Sequence, residues 1–248
     1  MVKSLIAFLV CSVIAVPTLW FTVVSSYDMY KFASEETQAA LSGDGSQTEA
    51  QSTELAESAL RSDSIVFAAW GAALASCIAL CSAGARNLGF RILGVVVGLL
   101  LGAGAGWASA NLGFWFDHTV KFEPSMTYWG QKWGVMYLPV AGAVAISVIS
   151  AGSWKKAADC IVGAIIGCCL ALFTYCVMLG IATPLEGHAA GFPEADENRI
   201  LFLISSFVLV GGATLLLVAR SVEGPSNVNS EENSQPPVED EKADSTSS

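Results

Sequence analysis

The sequence predicts an all-α, polytopic membrane protein built as a bundle of six transmembrane helices, and three observations carry that reading. Of the 248 residues, 53% are hydrophobic and only 14% charged, where an average soluble domain has roughly 25% charged. Six apolar runs reach the length of about 18 residues or more that a helix needs to cross the hydrocarbon layer. None of the six carries Asp, Glu, Lys, Arg or His in its middle. Asp159, at the start of the fifth, stands beside Lys155 and Lys156, where the membrane interface solvates it.

The first span, residues 4–25, follows Lys3. Its apolar stretch of about 20 residues exceeds the ~7–15 of a signal peptide, so it reads as an uncleaved helix. Cys11 follows Val10, where lipid attachment needs a small residue. Residues 27–63 then form an outer acidic hairpin. Ala, Glu, Gln and Leu on both flanks favour helix, and "SGDGS" at 42–46 is a turn signal. The expectation is that the first helix continues to about Leu41 and the second begins near Thr48.

The second and third spans cover residues 64–85 and 90–111. The segment "FWFDHTVKFEPSMTYWGQKWG" after them is dense in aromatics and is expected to lie as a loop in the interface. The fourth and fifth spans cover 134–152 and 157–183. A further outer loop, "PLEGHAAGFPEADEN", is broken by Pro184 and Pro193, and the sixth span covers 200–219. Residues 221–248 hold seven acids and one lysine. They have too little apolar surface to fold and read as a disordered acidic cytoplasmic tail.

Lys3, Arg86, Arg91, Lys155, Lys156 and Arg220 fall on one side in very short segments, while Lys31, Arg61, Lys121, Lys132 and Arg199 are spread over longer loops. By density the short basic side is cytoplasmic, which places both termini inside a plasma (inner) membrane. Trp70, Trp107, Trp115, Trp129 and Trp133 are expected as an aromatic belt at the outer boundary, with Trp154 at the inner one.

"GVVVGLLLGAGAGWASA", residues 94–110, separates two classes of protein. A dinucleotide loop needs G-x-G-x-x-G after a strand, and an ATP loop needs a following Gly-Lys-Ser/Thr. Gly102, Gly104 and Gly106 give G-x-G-x-G with Trp107 next, no lysine nearby and apolar sequence on both sides. The phosphate reading fails. Gly94, Gly98, Gly102, Gly106 and Ala110 instead recur at intervals of four, which places them on one helical stripe. In lipid such stripes let backbones approach closely. Matching stripes are Gly71, Ala75, Ala79 and Ala83 in the second span, and Gly163, Gly167 and Ala171 in the fifth. The expectation is a central third span with the second and fifth packed tightly against it, and disruption of the fold by Gly98→Leu.

Candidate chemistry is sparse. The seven cysteines lie in or at the ends of apolar spans, so disulfides are not expected, and buried Cys usually behaves as a small hydrophobe. His118 and His188 sit in outer segments beside acids. With Asp117, Glu123 and Glu186 they are the weak candidates for a divalent metal site, though no spacing enforces one. No buried His or carboxylate stands at membrane depth to serve as a catalytic base, and ion-coupled transport normally needs ionisable groups in the bundle. Ser76, Ser147, Thr174, Ser205 and Thr214 are the hydroxyls that would line a path for a small neutral solute.

The leading functional reading is a non-enzymatic structural or accessory subunit without a cofactor. Its partners are the lipid bilayer and another membrane or extracytoplasmic protein met through the outer loops. Acids outnumber bases 22 to 12, which gives no support for nucleic-acid binding. The alternative is a passive channel or facilitator.

Overall fold

The computed structural model describes residues 2–28, 31–42, 48–82, 87–120, 126–152, 157–182 and 196–223. Every regular element among them is helical: α1 (Val2–Leu19), α2 (Glu35–Ser42), α3 (Glu49–Cys81), α4 (Leu88–Thr119), α5 (Met126–Ser150), α6 (Ala157–Ala182), α7 (Asp196–Ser205) and α8 (Gly212–Glu223). π-helical turns at Trp20–Val24 and Ser206–Gly211 end α1 and join α7 to α8. Six helices are long and apolar enough to cross a membrane, α7 and α8 together forming the sixth. The protein is thus a six-helix, multi-pass bundle. The expected tail beyond residue 223, the outer loop at 183–195 and the inner-boundary Trp154 lie outside the described residues.

The first helix does not continue to Leu41. Ser25 and Ser26 turn their hydroxyls onto the carbonyls of Phe21 and Val23, and the chain leaves the helix as Tyr27 reaches across to α3. Hydroxyl-to-backbone bonds of this kind compete with helix continuation. The short α2 is capped by Ser34, whose Oγ accepts from the Thr37 amide at 3.3 Å. It folds back on α3 through Glu54, whose carboxylate accepts from the Ser34 amide at 2.7 Å, from Ser34 Oγ at 3.0 Å and from Thr37 Oγ1. α3 starts with a reciprocal capping box between Thr48 and Gln51, which satisfies two otherwise orphaned donors.

The aromatic segment at 114–134 is mostly not a loop. α4 runs on to Thr119 and α5 begins at Met126, so Trp115, Asp117, Tyr128, Trp129 and Lys132 are held on helical faces. The charge of Asp117 and Lys132 does not break the helices because each side chain neutralises the other.

The second span, not the third, is the centre. α3 packs against α1, α4, α5 and α8. Of its apolar window 61% is buried inside the protein, against 17% for α4. α4 packs between α3 and α5 and leaves Leu88, Ile92, Leu100 and Trp107 exposed on its outer face. The fifth span also departs from expectation. Gly163 and Gly167 face the sixth span, where an added Cβ would lie 2.9 Å from Thr214 Cα and 2.6 Å from Val210 Cα. A stripe of small residues permits close approach but names no neighbour, and α5 occupies the space beside α4.

Candidate functional site

The richest chemistry lies at the end of the bundle that carries α2, where helices extend past their apolar runs. Tyr128 and Lys132 stand one turn apart on α5, so they share a face. Together they grip one carboxylate: Tyr128 Oη donates to Asp117 Oδ1 at 2.6 Å and Lys132 Nζ to Asp117 Oδ2 at 2.8 Å. Lys132 is 1% exposed and Asp117 14%. The ammonium also lies 5.5 Å from the ring centroid of Trp129, within the range of a cation–π attraction.

A second carboxylate ties the neighbouring helices. Asp63 on α3 is buried and accepts from Tyr27 Oη at 2.8 Å, and Ser62 Oγ donates to the Asp28 carbonyl at 2.7 Å. Arg199 of α7 lies over the Tyr27 ring at 4.8 Å. The first cluster thereby ties α4 to α5, and the second ties the exit of α1 to α3 and α7.

Beneath them the core is aromatic. Phe67 and Trp70 of α3, Trp133 and Tyr137 of α5, Tyr175 of α6 and Phe202 of α7 are all buried. Trp70 meets Phe202 at 5.0 Å and Tyr137 edge-on at 5.5 Å, and Trp133 meets Tyr175 at 5.1 Å. Edge-to-face and tilted pairs at these separations add about 0.5–1.5 kcal/mol beyond area burial. Tyr137 Oη shares a 2.6 Å hydrogen bond with Ser206 Oγ at the π turn of the sixth span. Trp70 and Trp133 are therefore core residues and not part of an interfacial belt, whereas Trp107 and Trp115 are 57% and 56% exposed.

The glycines of α4 form a backbone-on-backbone seam with α3. A Cβ added at Gly102 would collide with the Gly71 carbonyl, one at Gly71 with the Gly102 carbonyl, and one at Gly106 with the Phe67 carbonyl. At Gly98 it would lie 2.9 Å from the carbonyl carbon of Ala75. Gly94 turns to α5, with Ala151 Cβ 2.7 Å from the added atom. Ser109 crosses the α4–α5 contact and donates to Met136 O at 2.5 Å and Ala105 O at 2.8 Å.

The metal candidates do not converge. Both oxygens of Asp117 are engaged by α5, while His118 points away, with Nδ1 2.8 Å from the Phe114 carbonyl and its ring 4.1 Å from that of Phe114. Adjacent positions on a helix are about 100° apart, so these two side chains diverge. No group of three His, Cys, Asp or Glu among the described residues is placed to hold a metal ion. Glu123, Glu186 and His188 lie outside the described residues.

Four of the candidate path-lining hydroxyls point at carbonyls. Ser76 Oγ donates to Val95 O at 3.3 Å, Ser147 Oγ to Val144 O at 2.8 Å, Ser205 Oγ to Phe202 O at 3.1 Å and Thr214 Oγ1 to Val210 O at 2.7 Å. Thr174 is half-buried. Sequence reasoning missed the roles of Lys132, Asp63, Tyr27 and Tyr128. The signal available was the one-turn spacing of Tyr128 and Lys132, which matters only once that segment is known to be helical. Comparison with family models, characterised proteins and solved structures finds no match to this chain.

Proposed function

We propose that this multi-pass protein is a non-catalytic structural or accessory subunit. It sits in a plasma membrane with both termini on the cytoplasmic side and meets a partner protein through the end that bears α2. The observation that carries this reading is the engagement of Ser76, Ser147, Ser205 and Thr214 with backbone carbonyls. All four are also buried, and a hydroxyl whose proton is held by a carbonyl has no donor left for a passing solute. The charged groups at the α2 end support the same reading, because both oxygens of the Asp117 carboxylate are held by Tyr128 and Lys132.

The experiment is light-scattering flux in liposomes with and without the purified protein, challenged with water, neutral solutes and monovalent ions. The expected result is no protein-dependent flux. Flux abolished by bulky residues at positions 76, 147, 205 and 214 would replace this reading with a passive channel. Photo-crosslinkers at exposed positions 36 and 39 of α2 are expected to capture a discrete partner in the native membrane.

A further inference from the structure

A groove of about 520 Å³ runs between the extension of α3 and the end of α4, lined by Ser52, Glu57, Leu60, Arg61, Phe114 and His118 among others. Its volume lies within the ~300–1,000 Å³ of small-ligand sites. Glu57 and Arg61 are one turn apart on α3, a spacing at which opposite charges normally pair. Neither makes an ion pair or hydrogen bond among the described residues. The His118 ring stacks on Phe114 with Nδ1 at the Phe114 carbonyl. In the neutral ring that bond places the proton on Nδ1 and leaves Nε2 as an acceptor.

The groove also has a depth. Trp115 lies on the turn between Phe114 and His118 and is 56% exposed, and the apolar Leu100 and Leu101 are exposed further down the same helix. Exposed Trp at the edge of an apolar band marks the membrane–water boundary. α3 descends from its capped start toward the apolar core, so Arg61 is the deeper charge and Glu57 the shallower. The antiparallel contacts of Gly106 with Phe67 and Gly98 with Ala75 set the register of α3 on α4. Continued outward, that register puts His118 about 3 Å outward of the level of Glu57 and Phe114 about 3 Å outward of the level of Arg61.

We infer that this groove binds the headgroup of an aminophospholipid, phosphatidylethanolamine, with phosphate at Arg61 and ammonium between Glu57 and His118. One helical turn, about 5.4 Å, matches the two-carbon bridge that separates those charges. A phosphate nearer the hydrocarbon and an ammonium nearer water is the order a bilayer presents. The ammonium donates N–H bonds to the Glu57 carboxylate and to His118 Nε2, whereas the quaternary nitrogen of choline has none to give.

The test is native mass spectrometry of the full-length protein titrated with phosphatidylethanolamine, phosphatidylcholine or phosphatidylglycerol, with soluble O-phosphoethanolamine and inorganic phosphate as further arms. Preferential retention of phosphatidylethanolamine is expected. Arg61→Ala and Glu57→Gln are each expected to reduce it about three- to tenfold, as loss of a partly exposed ionic contact does. Both side chains are exposed, and thermal unfolding of the variants checks that the fold is kept. Equal retention of phosphatidylcholine, or retention unaffected by both variants, overturns the proposal. Binding of soluble O-phosphoethanolamine or phosphate as tight as that of the lipid overturns the lipid as the source.

Discussion

Single atoms decide most at the α3–α4 seam and at Lys132. Gly106 faces the Phe67 carbonyl so closely that even a methyl group requires the helices to part, whereas Gly104, two residues away, meets nothing within 4 Å. Gly106→Ala is expected to cost about 1–3 kcal/mol or more through overpacking. Gly104→Ala should be neutral or stabilising by up to about 1 kcal/mol, since Ala is the better helix former. Unfolding titrations in detergent compare the two, and equal effects would mean that the seam does not control stability. At Lys132 the argument concerns charge. Lys132→Met leaves Asp117 half-buried with only Tyr128 to answer it, and breaking a buried pair costs about 3–5 kcal/mol. The double change Lys132→Met with Asp117→Leu removes both charges and is expected to recover most of that loss. A double change no better than the single one would sink the account of Asp117 as a stranded charge.

The behaviour of whole helices follows from their neighbours. α1 is peripheral, with only 11% of its apolar window buried, yet three contacts fix its antiparallel register on α3. They are Tyr27 with Asp63, the Asp28 carbonyl with Ser62, and Cys11 Sγ 3.6 Å from Cys81 Sγ. In a variant whose other five cysteines are Ala, copper-phenanthroline is expected to join Cys11 to Cys81, a small movement to the ~2.05 Å of a disulfide. The readout is a mass two hydrogens lower with no dimer formed. A variant that remains fully reactive to maleimide would place α1 elsewhere. The number of spanning helices was legible in the sequence because each is a long apolar run with polar ends. Helix pairing was not, because glycines such as Gly163 and Gly167 declare that something comes close without saying that it is the sixth span. The Asp117–Lys132 pair was hidden for a related reason. A lysine in a stretch rich in aromatics reads as a loop cation until the helix around it shows which face it occupies. Of the metal candidates, adjacency in sequence drew Asp117 and His118 together, and the helix turned them apart.

At the scale of the whole molecule, charge is distributed differently at the two ends of the bundle. Counted along the sequence, six bases on one side against five on the other make a thin margin for a positive-inside rule. Two of the bases at the α2 end are held within the fold. Lys132 is buried against Asp117, and Arg199 lies over Tyr27, which itself bonds Asp63. Acids cluster at that same end in α2 and in the start of α3, with Glu35, Glu36, Glu49, Glu54 and Glu57. At the opposite end Arg91 and Arg220 are exposed, and neither forms an ion pair among the described residues. Lys31 and Arg61 at the α2 end are exposed as well, so orientation turns on how densely the bases fall in short segments. On that density we propose the Arg91 and Arg220 end as the cytoplasmic one, with both termini on that side. Single cysteines at positions 57 and 91, in a variant whose native cysteines are Ala, test this in intact cells with a membrane-impermeant maleimide. Position 57 is expected to label at once and position 91 only after permeabilisation. The reverse pattern would invert the protein, and with it the leaflet in which the groove beside His118 meets its lipid.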